Sequence, residues 1–257
     1  MIYYWLTFAA VIVGAYCIGN VNFSIIISRL IAHRDIRQEG SGNPGTMNVL
    51  RNMGKPLGAL TLVLDVLKGA LPALLGWLIL GPDDAGEWAP WRFSPDMLGA
   101  ATAGLAAVVG HIYPLAYRFK GGKGVASALG VALVANCGGM FWWVTFAAFL
   151  IGVVYLYFGQ YGFIASLVIT GIPLGFAAVM SFVGGYIASG VLLLALYALI
   201  LFAHRGNMSR FANGKEAKTV IFGQDKRKAK RAAQTESPKA DAASADEKNM
   251  PDEKTDQ

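Results

Sequence analysis

The sequence predicts an all-α, polytopic integral membrane protein of about seven transmembrane helices, with an external amino terminus and a cytoplasmic carboxy terminus. Three observations carry this reading. Of 257 residues, 55% are hydrophobic and only 15% are charged, against about 25% charged in a typical soluble domain. Apolar runs long enough to cross a bilayer, about 20 residues each, recur along the chain. Lys and Arg gather in alternate connecting segments, the asymmetry that sets orientation in a membrane.

The first apolar run, over about 2–28, reads as a retained helix. No basic segment precedes it, and it is too long for the apolar part of a signal peptide. The polar loop after it carries Arg29, Arg34, Arg37, Arg51 and Lys55 and is predicted to be cytoplasmic. A second span is expected over about 57–80. The next connection, GPDDAGEWAPWRFSPD (residues 81–96), sets Asp83, Asp84, Glu87 and Asp96 against Arg92 and reads as external. A third span over 97–117 returns the chain to the cytoplasm at RFKGGKG (residues 118–124).

From Gly124 to His204 there is no Asp, Glu, Lys or Arg. The basic cluster over 204–218 is again predicted inside, so an even number of spans lies between. Four fit this length better than two, with turns near 136–139, 159–162 and 181–185. The piece 124–136 is short for a span. A tilted or partly interfacial helix there, or five spans in all, satisfies the same charge pattern. Residues 1–223 are thus read as the transmembrane domain. Residues 224–257, where basic and acidic residues mix with Ala, are read as a disordered cytoplasmic tail. Its segment KRKAKR (residues 226–231) suits contact with anionic lipid or plain solvation alike. Cys17 and Cys137 lie in apolar runs without metal or disulfide spacing and are expected to be buried small hydrophobes. The net charge of +6 implies no nucleic-acid partner, because basic residues collect at cytoplasmic membrane faces.

Four polar clusters fall at predicted cytoplasmic helix ends or just inside a span. The first is GSGNPGTMNVLR (residues 40–51). Its glycines and Pro44 favour turns whose successive N–H groups point one way, which suits phosphate. Ser41 and Thr46 add hydroxyls, and Arg51 can grip two phosphate oxygens. Taken alone, an ordinary interhelix loop with one arginine explains it as well. The second, FKGGKGVAS (residues 119–127), places Lys120 and Lys123 around Gly121 and Gly122 at a helix start, where the dipole favours an anion. The third, DVLKG (residues 65–69), puts Asp65 and Lys68 on one helix face within a span; structural pairing ranks above catalysis there. The fourth is HRGNMSRFANGKE (residues 204–216), in which His204 can be base, donor or orienter beside Asn207, Arg210 and Lys215. Gly110, His111 and Ser166 are read as helix packing. Together the clusters describe a cationic cavity for a small phosphorylated substrate with a lipid partner.

In this order, GSGNPG…NVLR, DVLKG, GH followed by FKGGKGVAS, and HRGN…R…GKE resemble the bacterial acyl-phosphate:glycerol-3-phosphate acyltransferase family, over about residues 19–216. The resemblance implies a multi-pass enzyme of phospholipid biosynthesis in the bacterial inner membrane, with its active site on the cytoplasmic side. It would move a fatty acyl group from acyl phosphate to the sn-1 hydroxyl of glycerol 3-phosphate, giving lysophosphatidic acid and inorganic phosphate. The resemblance puts Ser41, Arg51 and Lys123 on phosphate and His204 and Asn207 near the reacting groups. It lines the substrate phosphates with Gly42, Asn43, Gly45, Thr46, Asn48, Lys120, Gly121, Gly122 and Gly124. No metal, cofactor or obligate protein partner is implied.

The chain departs from the family pattern at three places. Thr46-Met47 stands for Ala-Thr, Phe163 stands for a serine, and Ser127 stands for Thr. No His-x4-Asp pair occurs, since Gln38, Ala116 and Ser209 follow the three histidines at that spacing; this disfavours an acyl-CoA donor. The alternative from a different class is a membrane transporter of phosphorylated anions. Polar clusters on one face and an uncharged stretch over 124–204 give it no pathway across the bilayer.

Overall fold

The computed structural model describes residues 2–80, 97–137 and 141–219. The chain divides into two units after Lys218, and the helices belong to the first. The acidic connection 81–96 and the tail 224–257, KRKAKR included, lie outside the described residues.

All regular structure among the described residues is helical. The first apolar run is two helices rather than one, α1 (Ile2–Asn20) and α2 (Phe23–Leu30). The break has a local cause. The Asn22 side chain accepts the Ile25 N–H at 3.1 Å, the group that a continuous helix would give to the Val21 carbonyl. A 3-10 turn (Ile36–Gln38) and the short α3 (Thr46–Met53) lead into α4 (Lys55–Leu80). Then come α5 (Leu98–Ile112), α6 (Val125–Cys137), α7 (Trp142–Phe158), α8 (Gly162–Val183), α9 (Ile187–Ala203) and α10 (Arg205–Ala212).

Each of the seven expected positions holds an apolar helix, but lengths differ. Four are long and apolar enough to cross a membrane: Trp5–Leu30 taken through its break, Lys55–Leu80, Leu98–Tyr117 and Gly162–Val183. A fifth is reached if α9 and α10, bent by 53° at His204, count as one. At 13 and 17 residues, α6 and α7 are shorter. Large apolar side chains cover the outer faces, among them Leu67, Leu71 and Leu78 of α4 and Phe146, Leu150 and Val154 of α7. Such faces suit lipid rather than water. Cys17 and Cys137 are exposed, not buried. In lipid an apolar residue has no need to turn inward, so hydropathy does not predict burial here.

α4 packs on both α5 and α6, α1 lies on α5, and α7, α8 and α9 pack in sequence, with α6 against α8. Small residues make the crossings close. A Cβ at Gly69 would lie 2.0 Å from the Ser127 carbonyl oxygen, and one at Gly130 would lie 2.1 Å from that of Val66. Gly76 and Gly99 meet in the same way across α4 and α5. Lipid tails are as apolar as Leu, so helix association rests on such contact and on interhelical hydrogen bonds. One of these runs from Asn136 Nδ2 of α6 to the Pro173 carbonyl of α8, at 3.1 Å.

Gly69→Val and Gly130→Val are expected to destabilise by about 1–3 kcal/mol each, the usual cost of overpacking, seen as lower melting temperatures in detergent. Gly175→Ala, where a Cβ meets nothing within 4 Å, should leave the melting temperature unchanged or raise it.

Candidate active site

The first wall is the loop between α2 and α3. Asp35 is gripped by Arg37 at 2.7 Å and by Arg29 at 2.8 Å. The bond to Arg37, foremost, holds its carboxyl well below the usual range. Arg37 of the loop and Arg29 of α2 are thereby spent on structure. The chain turns through left-handed Gly40 and Gly42 (φ +54° and +70°), conformations that cost glycine nothing. Asn48 then locks the turn from α3. Its Nδ2 donates to the carbonyls of Ile36 (3.0 Å) and Glu39 (2.9 Å), and its Oδ1 accepts from the Ser41 N–H (3.2 Å). Asn48 therefore shapes the loop with both ends of its carboxamide. Gly45 precedes α3 without a side-chain cap. The first backbone bonds run from the Asn48 and Val49 N–H groups to Gly45, so the N–H groups of Thr46 and Met47 are first-turn donors without a helical acceptor. The Thr46 hydroxyl is buried and has no protein partner. Ser41 is exposed, with its Oγ 3.4 Å from the Asn43 N–H; both stay on the outer lip.

The second wall follows α5. Here the Gly121 and Gly122 N–H groups donate to the carbonyls of Ile112 (3.1 Å) and His111 (3.2 Å). They fold the loop back over the end of α5, so both N–H groups are paired within the protein here. Glycine is needed for contact. A Cβ at Gly121 would lie 2.0 Å from the His111 carbonyl oxygen. At Gly122 it would lie 2.2 Å from His111 Nε2 and 2.9 Å from the Pro44 carbonyl oxygen. The Gly-Gly pair thus brings the two loops together. Gly124 (φ +78°) opens α6, whose Ala128 N–H bonds the Gly124 carbonyl at 2.8 Å. The N–H groups of Val125, Ala126 and Ser127 form the free first turn. The Ser127 hydroxyl is fully buried without a partner. Lys120 is exposed, and no described contact joins it to Lys123.

The third wall is the corner between α9 and α10. His204 is buried there, and its Nδ1 lies 2.9 Å from the Ile200 carbonyl. A carbonyl only accepts, so Nδ1 carries the proton and Nε2 keeps its lone pair. Burial foremost, with the Lys123 charge adding to it, lowers the imidazole pKa to about 4; the Ile200 bond and Glu216 oppose that shift. Asn207 bridges the walls. Its Oδ1 accepts from Lys123 Nζ, and its Nδ2 donates to Glu216 Oε1 at 2.6 Å. Arg210 Nε donates to the other carboxylate oxygen at 2.7 Å. Burial lowers the Lys123 pKa to about 8; Glu216 opposes the shift, and the charges of Arg210 and Arg51 add to it. Arg51 in turn feels Glu216.

Arg210 thus binds the Glu216 carboxylate directly, while Lys123 and Arg51 both feel its charge. Positive charge is in excess here in a partly dry setting, where such charge acts strongly. The fold gathers Arg51, Lys123, His204 and Asn207, all expected from the sequence, and adds Glu216 and Arg210, which the sequence alone does not place there. A signal existed, since Glu216 is the first acid after Asp96 in the chain.

A family model described as glycerol-3-phosphate acyltransferase matches residues 9–214. The glycerol-3-phosphate acyltransferase of Ralstonia pickettii is 35% identical over 205 residues, 80% of this chain and 90% of that protein. That of Alkaliphilus metalliredigens is 36% identical over 208 residues, 81% and 94%. The crystal structure of PlsY (YgiH), an integral membrane glycerol 3-phosphate acyltransferase, in its glycerol 3-phosphate form has 33% identity and a TM-score of 0.67. It covers 83% of this chain and 96% of that one. The lysophosphatidic acid form gives 31% identity and a TM-score of 0.65.

Glu216→Ala leaves Asn207 and Arg210 without their shared acceptor. It is expected to cost on the order of 1.5–3 kcal/mol, the worth of a hydrogen bond to a charged group, and to lower the melting temperature in detergent. Glu216→Gln, which keeps one acceptor oxygen, should fall between the two.

Proposed function

The chain belongs to the glycerol-3-phosphate acyltransferase family, and from that premise we propose that it takes its acyl group from acyl phosphate and passes it to the sn-1 hydroxyl of glycerol 3-phosphate. The products are lysophosphatidic acid and inorganic phosphate. The observation that carries this reading is the cluster of Arg51, Lys123 and Arg210 around Glu216, which suits two phosphates held close together. The substrate and product named for the two PlsY structures support it.

In this mechanism Arg51, Lys123 and the first-turn N–H groups of α3 and α6 hold phosphate. Ser41, Gly42, Asn43 and Gly45 close over the same substrate from the lip. The hydroxyl oxygen attacks the acyl carbonyl carbon, and the bond from that carbon to the phosphate oxygen breaks. His204 Nε2 accepts a hydrogen bond from the attacking hydroxyl and orients it. With a pKa of about 4, the imidazole is a weak base. A phosphate, whose second pKa is about 6, is the better final acceptor of the proton. Phosphate leaves readily, so positioning and charge stabilisation suffice.

We place seven helices across a bacterial inner membrane: the α1–α2 pair and α4 to α9, with α6 and α7 as the short members. The amino terminus is external, and the site and the tail 224–257 are cytoplasmic, following the positive loops. Residues 1–223 form the acyltransferase domain, with membrane lipid as the medium for donor and product. Transport of phosphorylated anions, the alternative from charge alone, gains no support from the family.

Purified protein given acyl phosphate and glycerol 3-phosphate should form lysophosphatidate, and acyl-CoA should not replace the donor. Product from acyl-CoA alone would overturn the choice of donor. Lys123 loses its proton as pH rises through about 8, so kcat/KM should fall along an alkaline limb with that midpoint. Lys123→Arg, which stays charged, should remove the limb; an unchanged limb would assign it to another group.

A further inference from the structure

We propose that Lys68 is a positioning residue of the acyl-transfer site, acting through the break in the first span. Lys68 and Asp65 lie inside α4, with side chains only 2% exposed, and Lys68 Nζ is 2.8 Å from Asp65 Oδ1. An ammonium inside a span requires a partner, and Asp65 supplies one. Neutralisation does not account for the second bond. Lys68 Nζ also donates to the Val21 carbonyl at 2.7 Å, and it lies over the Phe23 ring at 5.7 Å.

The Val21 carbonyl is the acceptor orphaned by the break, because the Ile25 N–H goes to the Asn22 side chain instead. Lys68 supplies the donor that the helix no longer gives it. The residues on either side of Val21 reach the two loops of the site. Asn20 Nδ2 donates to the Tyr16 carbonyl at 2.7 Å, and its Oδ1 accepts from the Leu115 N–H, at the start of the segment that delivers Lys123. Buried Asn22 directs Nδ2 to the Pro44 carbonyl at 3.5 Å, within the loop of Ser41 and Thr46. These loops meet where Gly122 lies against the same Pro44 carbonyl. The end of α1 and the two-residue break after it thus hold both loops in register through Asn20 and Asn22, and Lys68 holds the break between them. The inference rests on the acyl-transfer reading of the site.

The test compares Asp65→Asn/Lys68→Met and Asn22→Ser with the wild type in detergent, by melting temperature and by kinetics with acyl phosphate and glycerol 3-phosphate. The double variant carries no buried charge. Serine still caps α2 but is too short to reach Pro44. Both should melt within a few degrees of the wild type. Their KM for glycerol 3-phosphate should rise about tenfold, the ratio given by ~1.4 kcal/mol, with a smaller change in kcat. A double variant that melts like the wild type and keeps its KM overturns the proposal. If the double variant does not fold, an unchanged KM in Asn22→Ser overturns it equally. A wild type inactive toward acyl phosphate is a separate failure, that of the functional reading.

Discussion

The hydrogen bond from Lys123 to Asn207 joins residues 84 apart in the chain, and the arrangement of the site depends on it. Lys123 arrives on the loop after α5, and Asn207 arrives on the last described helix. Between them, from Gly124 to His204, the chain has no Asp, Glu, Lys or Arg. Charge is expensive in that region, so it collects at the ends. Glu216 then becomes decisive. It holds Asn207 and Arg210, and its field reaches Lys123 and Arg51. Three cations around one carboxylate leave positive charge unbalanced, and a phosphate can supply the balance.

The backbone serves the same end. Bilayer interiors tolerate irregular chain only where protein covers it. Here irregular chain is gathered where the α1–α2 break, the loop before α3 and the loop after α5 meet. Asn48 closes one loop upon itself, and the Gly121–Gly122 pair folds the other against His111 and Pro44. The donors left over are the first turns of α3 and α6, whose N–H groups have no helical acceptor. Buried hydroxyls at Thr46 and Ser127 stand beside them without partners. The geometry is thus set before substrate arrives, so little reorganisation is charged to the reaction.

Much of this was legible in the residues. Hydropathy located every apolar helix, because a spanning segment must be apolar along its whole length. It missed the break at Val21, since an average over a window passes smoothly through Asn20 and Asn22. It also misjudged Cys17 and Cys137, because hydropathy reports the medium and not the interior of the protein. Gly121 and Gly122 make a close contact that only the path of α5 and Pro44 reveals. For Asn48 the sequence shows a carboxamide near glycines, not that it faces the carbonyls of Ile36 and Glu39. Asp65 and Lys68 were read correctly as a buried pair, while the carbonyl of Val21 as their third member needed the fold.

The central claim is that binding and turnover rest on fixed positive charge rather than on a protein base. The turnover of purified Arg51→Ala with acyl phosphate and glycerol 3-phosphate tests it most directly. The account predicts a loss of kcat/KM of about 10²–10³, the usual cost of removing one group that stabilises developing charge, in a protein that still folds. A folded Arg51→Ala variant with kcat/KM within about twofold of the wild type would contradict it.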